Sequence, residues 1–402
     1  MLFRVRYLLN FIIIFITIFS FGNKSFAVSE FTGEKPADGI IYLEKPQKNL
    51  EDVIKNRTNK DKAKENGAEK RQNPLNLFRG QGYQFKKGPI KSQRISFFTH
   101  GGPNMTAQRG EPFHEHMDYA ANEITLTTLF ADNKTKFDLA YNFTRTRKYN
   151  NNLWAKFSIV ELSHKINENQ EIIIGQARIP NGYEGGISSS RLKFVTRSQI
   201  ARTFGNSITN TVKNKGNYKY FSYEAALSDG SRYWQQLFGG GEITALASIK
   251  PLAEHDGKYG DLKIGGSIDH GRSHCMGFTV VGGHILYNYK KFFWNTEYQY
   301  ANNSAGVWYN RGKAHGLYSS AGYFVTPKTE ILARYDFFQN LDNHNISTEY
   351  GAGVNYYITP EAKLMLNYIL AINEPNPAPS HKIYIGADIK YYSLIDKIFE
   401  RL

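Results

Sequence analysis

The chain has 402 residues, one cysteine and a formal net charge of +14. A single cysteine, Cys275, cannot form an intrachain disulfide, so a disulfide-stapled secreted fold is excluded. After Ala27 no apolar run approaches the roughly 20 residues that a membrane-spanning helix needs, and mean hydropathy is −0.49. Aromatic residues nevertheless reach 14%, which is typical of strand-rich chains and of the aromatic girdles of outer-membrane barrels.

The first 27 residues carry the pattern of a secretory signal peptide. Arg4 and Arg6 make the start positive, an apolar run covers residues 8–22, and Ser25 and Ala27 place small residues at the cleavage site. We therefore expect residues 1–27 to be cleaved rather than to anchor the chain. Removing the three basic residues of this segment lowers the net charge from +14 to +11. In an exported chain this balance favours anionic solutes or an anionic lipid surface as partners, and argues against nucleic acid.

Residues 28–90 differ in composition from the rest of the chain. From Glu44 to Arg71 the sequence is rich in Lys, Glu and Asn, and its apolar residues form one small cluster. Such a segment cannot bury a core. We predict a charged periplasmic segment that is disordered or forms a loose helix.

From residue 93 onward, segments of about ten residues alternate between apolar and polar side chains and are separated by turn residues. In Lys136–Arg145 the apolar residues at odd positions share one face, and Asp138 and Asn142 lie on the other. Thr329–Phe338 and Lys382–Tyr391 repeat the pattern. A strand that faces lipid on one side and water on the other has this alternation. The pattern predicts sixteen strands, near residues 93–99, 122–131, 136–145, 153–163, 170–178, 206–213, 218–227, 241–250, 260–270, 277–287, 291–301, 314–325, 329–338, 348–358, 362–371 and 381–391.

The connections alternate in length, as expected for an outer-membrane barrel with both ends of the chain in the periplasm. Short turns are predicted at 132–135, 167–169, 214–217, 288–290, 326–328 and 359–361, and longer loops at 101–121, 179–205, 228–240, 302–313, 339–347 and 372–380. We therefore predict an all-β fold, a 16-stranded antiparallel transmembrane β-barrel over residues 91–392. Residues 393–402 form a C-terminal tail, either a periplasmic extension or a continuation of the last strand.

A sixteen-stranded barrel encloses a water-filled lumen, which an inward-folded constriction loop can narrow. The loop 179–205 is the longest between well-defined strands and is basic. Guanidinium and ammonium groups attract an oxyanion, and hydroxyl groups replace its lost water. The predicted anion-binding residues at this constriction are Arg178, Ser188, Ser189, Ser190, Arg191, Lys193, Arg197 and Arg202.

The same segment carries the spacing G-x4-P-x-G-x-E-x3-S-S-S-x6-R-S, from Gly175 to Ser198. It resembles the third loop of the phosphate-selective porin O and P family of bacterial outer membranes. ILARYDFFQN, YGAGVNYYITPEAKLMLNYIL and GGGEITALASIKPL resemble later strands of that family. The resemblance implies a passive, trimeric porin and gives constriction roles to Ser188, Ser189 and Arg197. The chain departs from the family at Asn181, where Phe is common, and by having Arg191 rather than residue 190 as the first basic residue after the serine pair.

Two strand cations, Lys156 and Arg334, are predicted to line the lumen wall, and Lys363 near a turn is a weaker candidate. His114 and His116 have ligand chemistry, but a metal site usually needs three or four ligands and no third is evident. We expect no metal and no cofactor.

The sequence therefore predicts an outer-membrane porin selective for anions, with phosphate or a related oxyanion as the solute and the lipid bilayer as the surroundings. A general porin with weak anion preference, and a structural or adhesive barrel with a plugged lumen, remain alternatives. A barrel hydrolase would need a histidine beside a serine on a convincing strand, and none stands in such a place. We predict that the protein is not an enzyme.

Overall fold

A computed structural model describes residues 83–84, 88–146, 156–205, 207–230, 240–255, 257–273, 276–304, 312–375 and 378–392. The predicted signal peptide, most of the predicted periplasmic segment and the predicted tail at 393–402 lie outside these residues. Within them, no helix has both the length and the apolar character to cross a membrane.

Sixteen long strands form one closed antiparallel barrel, as predicted. Each strand pairs with the next along the chain, and β17 pairs with β2 to close the cylinder. A two-residue strand, β1 (Tyr83–Gln84), adds to β2. The barrel strands are β2 Ile90–Gln108, β3 His114–Phe130, β4 Thr135–Asn142, β5 Phe157–Lys165, β6 Gln170–Arg178, β7 Ile208–Asn217, β8 Phe221–Ser228, β9 Gly240–Ile249, β10 Asp261–Ser273, β11 Met276–Tyr289, β12 Phe292–Asn302, β13 Lys313–Thr326, β14 Thr329–Asn340, β15 Ile346–Thr359, β16 Ala362–Asn373 and β17 Ser380–Tyr392.

The alternation of side chains between lumen and lipid is the one that the sequence predicted. On β14, Arg334 and Asp336 are buried on the inner side, whereas Ile331 and Tyr335 are exposed on the outer side. Large apolar residues are exposed in this way on most strands. In a bilayer these side chains contact lipid, so their exposure is what a membrane barrel requires.

Two predicted connections are wrong. The predicted loop 101–121 is mostly strand, because β2 and β3 stay paired out to Thr106 and His114. The ladder between β2 and β17 skips Gly102 and Pro103, but both residues stay in register with β3. The predicted turn 214–217 lies within β7, which pairs with both β6 and β8, and the turn follows at 218–220.

Gly175 in β6 gives a test of this architecture. Its φ is +126°, and a Cβ at this position would overlap the carbonyl oxygen of Val160 on β5. Gly175→Ala is expected to destabilise the barrel by about 1–3 kcal/mol and to lower its thermal midpoint in detergent. Gly241→Ala in β9 is the control, because no atom lies within 4 Å of the added Cβ. Equal losses of stability in the two variants would contradict the close packing of Gly175 against Val160.

Candidate functional site: a loop inside the barrel

The segment between β6 and β7 contains two short helices, α1 (Tyr183–Gly186) and α2 (Gln199–Thr203), and a 3-10 turn at Ser189–Arg191. Its residues form hydrogen bonds with side chains on β2, β10, β12, β14, β15 and β16. One segment can reach this many strands of a closed barrel only from within. The contacts therefore place this segment, called the constriction loop below (residues 179–207), in the lumen.

The first part of the constriction loop is held by Glu297 on β12. Its two carboxylate oxygens accept hydrogen bonds from the backbone N–H of Tyr183 (2.7 Å) and of Glu184 (3.1 Å). The preceding residue, Gly182, has a φ of +69° and no room for a Cβ against Glu297. Burial raises the pKa of Tyr183 to about 12, although nearby Arg191 opposes the rise, so this phenol stays protonated at physiological pH.

The middle of the loop lies against β14 and β16. Lys193 Nζ is 2.6 Å from Glu330 Oε1 and lies 4.6 Å from the centre of the Phe293 ring. Lys363 Nζ donates to the carbonyl oxygen of Leu192 (2.5 Å), and the N–H of Val195 donates to Asn367 Oδ1 (2.7 Å). This stretch is therefore fixed by an ion pair and by its own backbone.

The last part of the loop is held by β14 and β15. The N–H of Gln199, in the first turn of α2, donates to Asp336 Oδ2 (2.8 Å). Arg202 Nη2 lies 3.0 Å from both carboxylate oxygens of Glu349. Apolar packing adds to these bonds, because Ile200 and Phe204 belong to a buried cluster that also contains Val280, Ala301, Ala314 and Tyr318.

The carboxylates that hold or face the loop share one property: each is almost completely covered. None is more than 4% exposed in the set Asp269, Glu297, Glu330, Asp336, Glu349 and Asp388. Four of them are also paired with cations: Glu330 with Lys193, Asp336 with Arg334, Glu349 with Arg202 and Asp388 with Lys363. Their negative charge is therefore compensated close by. The constriction loop thus hides the acidic side of the barrel from the permeation path.

The opposite side of the lumen carries charges that compensate one another. Lys136 pairs with Asp138 at 2.6 Å, and Lys215 pairs with Glu171 at 2.8 Å. Lys213 lies 3.4 Å from Glu224. These pairs are on β4 and on β6 to β8, away from the anchors of the loop, and they give that wall little net charge.

Two predicted anion-binding arginines, Arg178 and Arg197, and the predicted wall arginine Arg334 donate to backbone carbonyls of the loop. Arg197 is 5% exposed, and its guanidinium donates to the carbonyl oxygens of Glu184 and Ile187. Arg334 is also buried and donates to the carbonyl oxygen of Thr196 (2.8 Å). Arg178, at the end of β6, donates to the carbonyl oxygen of Gly185 (3.5 Å). In this geometry the three arginines brace the loop, because each donates to at least one of its backbone carbonyls.

The serine run is divided between inside and outside. Ser189 and Ser190 are buried, and the N–H and the hydroxyl of Ser190 point to Ser188 Oγ (3.4 and 3.2 Å). Ser188 itself is exposed. Only this hydroxyl of the three faces open space.

Arg191 is exposed at the 3-10 turn, and its charge acts on both Tyr183 and Lys390 of β17. Arg202 and Lys193 keep 37% and 25% of their side chains exposed while paired. Sequence reasoning did not single out Lys390, although it alternates with the apolar residues of β17 on the same face as Asp388. Of the predicted wall cations, Lys156 stands half-buried just before β5, and Lys363 is buried under the loop.

Comparison with known proteins agrees with this geometry. The sequence model of the family described as phosphate-selective porin O and P matches residues 211–380. Similar solved structures include the anion-selective porin from Comamonas acidovorans (9% identity, covering 75% of this chain and 99% of that chain, TM-score 0.57) and the outer membrane channel DcaP of Acinetobacter baumannii (11%, 78% and 99%, TM-score 0.57). In-vitro folded OmpT, an outer membrane protein of Vibrio cholerae in its trimer form, is also similar (12%, 75% and 99%, TM-score 0.53). No curated protein sequence matches the chain.

The closed barrel defines the class: the chain has the fold of an outer-membrane porin. Within that class, the resemblance to the phosphate-selective porin O and P family predicted from the sequence is confirmed over residues 211–380. The matched region begins after the constriction loop, so the roles that the resemblance gives to Ser188, Ser189 and Arg197 stay predictions.

Proposed function

We propose that this porin is a passive diffusion channel selective for anions, and that phosphate or a related oxyanion is its solute. The observation that carries the proposal is the uneven exposure of charge around the constriction loop. The carboxylates on the loop side are covered, whereas Arg191 is open and Arg202 and Lys193 stay partly open. The field in the lumen is then positive near the loop.

The passage of an oxyanion follows from these groups. Arg191 offers a planar fork of donors that fits two oxygens of a tetrahedral anion. The exposed hydroxyl of Ser188 replaces part of the lost hydration. Partial pairing of Arg202 with Glu349 weakens its hold on any anion that arrives, which helps release. Weak sites in series favour conduction over capture.

Assembly and export belong to the same proposal. The family resemblance implies a homotrimer, and the similar OmpT structure is described in trimer form. Cleavage after residue 27 would deliver the chain to the periplasm for insertion.

The reversal potential of the refolded protein in a planar bilayer with a KCl gradient tests the proposal. We expect a potential of the sign that chloride permeation gives, and a fall in chloride current when a small amount of phosphate is added. Sulfate at the same ionic strength is the control, because an equal block by sulfate indicates a general oxyanion site. Cation selectivity would contradict the proposal. Anion selectivity with no block by either anion would favour a general porin with weak preference.

A further inference from the structure

The connections from β7 to β8, from β9 to β10 and from β11 to β12 are neighbours at one end of the barrel, because these six strands are consecutive in the sheet. The end with the short connections faces the periplasm in outer-membrane barrels. Each of the three connections carries an exposed lysine whose ammonium group lies over a tyrosine ring. The distances from Nζ to the ring centre are 5.3 Å for Lys219 and Tyr220, 5.3 Å for Lys258 and Tyr259, and 5.0 Å for Lys290 and Tyr289. Together with exposed Lys291, these residues form the lysine–tyrosine rim.

The rim is held together by hydrogen bonds between its connections. The hydroxyl of Tyr220 donates to Glu254 Oε1 (3.4 Å), which links the first connection to the second. The hydroxyl of Tyr287 on β11 donates to the carbonyl oxygen of Tyr259 (2.9 Å), which links the second to the third. The three lysine–tyrosine pairs therefore belong to one continuous surface.

The outer faces of the same strands are apolar directly beside the rim. Phe221, Ile249 and Phe292 are exposed, and each stands at the end of a strand that adjoins one of the three connections. In a membrane protein, aromatic rings at such a boundary lie at the level of the lipid headgroups. The ammonium groups over these rings are therefore held at the depth of the phosphates of the periplasmic leaflet.

The rim has an excess of positive charge. Among the described residues of the three connections, Glu254 is the only carboxylate, against four exposed lysines. No ion pair of the described residues includes any of these four lysines. Their charge is therefore available to a partner outside the chain.

The corresponding connections on the other side of the barrel are more balanced. Asp132 lies two residues from Lys134 in the connection from β3 to β4. Glu168 lies three residues from Lys165 beside the connection from β5 to β6. The excess of positive charge is thus a feature of the rim and not of every connection at this end.

We propose that the lysine–tyrosine rim is a binding surface for anionic phospholipids of the periplasmic leaflet. The ammonium groups attract the oxygens of the phosphodiester, and the tyrosine rings pack against the glycerol and the upper part of the acyl chains. A zwitterionic headgroup carries its own cation, which the lysines repel, so the surface favours a headgroup with net negative charge. This role is separate from permeation and does not depend on the selectivity of the pore.

Trp294 on β12 is a local reporter for this lipid, because it is exposed and stands opposite Tyr287 on β11. Phe at the other three tryptophan positions, Trp154, Trp234 and Trp308, leaves Trp294 as the only tryptophan. In phosphatidylcholine vesicles, quenching by brominated phosphatidylglycerol, compared with brominated phosphatidylcholine, gives the relative affinity of the two lipids. Phosphatidylglycerol should bind at least about fivefold more tightly, which is the gain from one lysine at an anionic lipid surface.

Variants separate the rim from the overall charge of the protein. Gln at the four rim lysines should bring the preference close to one, whereas Arg at the same positions should keep it. The matched control removes four lysines that lie outside the three connections and should keep the wild-type preference: Lys91→Gln, Lys134→Gln, Lys165→Gln and Lys313→Gln. Equal losses in the Gln variant of the rim and in this control would overturn the proposal, because net charge alone would then explain the preference.

The wild-type rim gives a test that needs no substitution in it. Its preference should shrink when KCl is raised from about 0.1 M to about 1 M, because the Debye length falls from about 10 Å to about 3 Å. Inorganic phosphate added at constant ionic strength should not displace the brominated lipid, since a free anion has no acyl chains for the aromatic rings to hold. Displacement by phosphate would indicate a solute site and overturn the lipid assignment. Equal quenching by the two brominated lipids would overturn it as well.

Discussion

Arg191→Glu is expected to abolish or reverse the preference for anions. The substitution changes the charge by two units at an exposed position of the constriction loop whose charge acts on Tyr183 and Lys390. At the separations and screening of a water-filled pore, such a change alters the anion-to-cation permeability ratio by about tenfold. The reversal potential in a KCl gradient measures it, and Arg191→Ala should give a smaller shift of the same sign.

The control for this prediction is Arg109→Glu. Arg109 is exposed in the connection between β2 and β3 at the loop end of the barrel. The charge change is the same, but it is remote from the constriction, so the reversal potential should move little. Equal shifts from the two variants would mean that the net charge of the protein sets selectivity, and would remove the special role of Arg191. Arg197 is unsuited to this test, because its loss would break the bonds that shape the loop.

Glu349→Gln is expected to have two effects with different readouts. The carboxylate holds Arg202 at 3.0 Å and lies 3.9 Å from Arg334 and 3.6 Å from Lys382. Its neutralisation frees positive charge, so anion preference should increase. It also loosens α2, at a cost of about 2 kcal/mol, less than for a fully buried pair because Arg202 is partly exposed. The reversal potential reports the first effect, and the thermal midpoint in detergent reports the second.

Glu224→Gln is the companion variant. Glu224 pairs with Lys213 at 3.4 Å on the wall opposite the loop anchors, and it is 40% exposed. The Glu224→Gln substitution removes the same charge from the lumen as Glu349→Gln but releases no residue that holds the loop. Its thermal midpoint should therefore stay near the wild-type value. A double-mutant cycle with Arg202→Gln isolates the Arg202–Glu349 coupling. A coupling energy near zero would contradict the anchoring role.

The sequence predicted the barrel well because the alternation of apolar and polar residues that marks a strand is a local pattern. Each strand carries its own alternation, and the requirement that strands come in pairs adds the weak strand β7. The predicted loop at 101–121 is wrong because β2 and β3 stay paired through Gly102 and Pro103, two residue types that local propensity disfavours in strands. Local propensity gives way to pairing in such a place.

The site was less predictable, because the residues that pair with one another in it are far apart in the sequence. The alternation indicates that Glu330 faces inward, but nothing indicates that its partner is Lys193, 137 positions earlier. The same holds for Arg202 and Glu349, which are 147 positions apart. A count of loop cations therefore overestimates the charge that a solute meets, since exposure depends on pairings that only the closed barrel creates.

The position of His100 and Asp388 at the β2–β17 seam also sets an order of events during biogenesis. The surface that receives Val195, whose carbonyl oxygen is 2.9 Å from His100 Nε2, is shared by the first and last barrel strands together with β16, and does not exist while the sheet is an open ribbon. The loop can rest earlier on β10 to β15, which are contiguous before closure. The contacts that hold Val195 can therefore form only after the barrel has closed, which makes this part of the loop the last to reach its place.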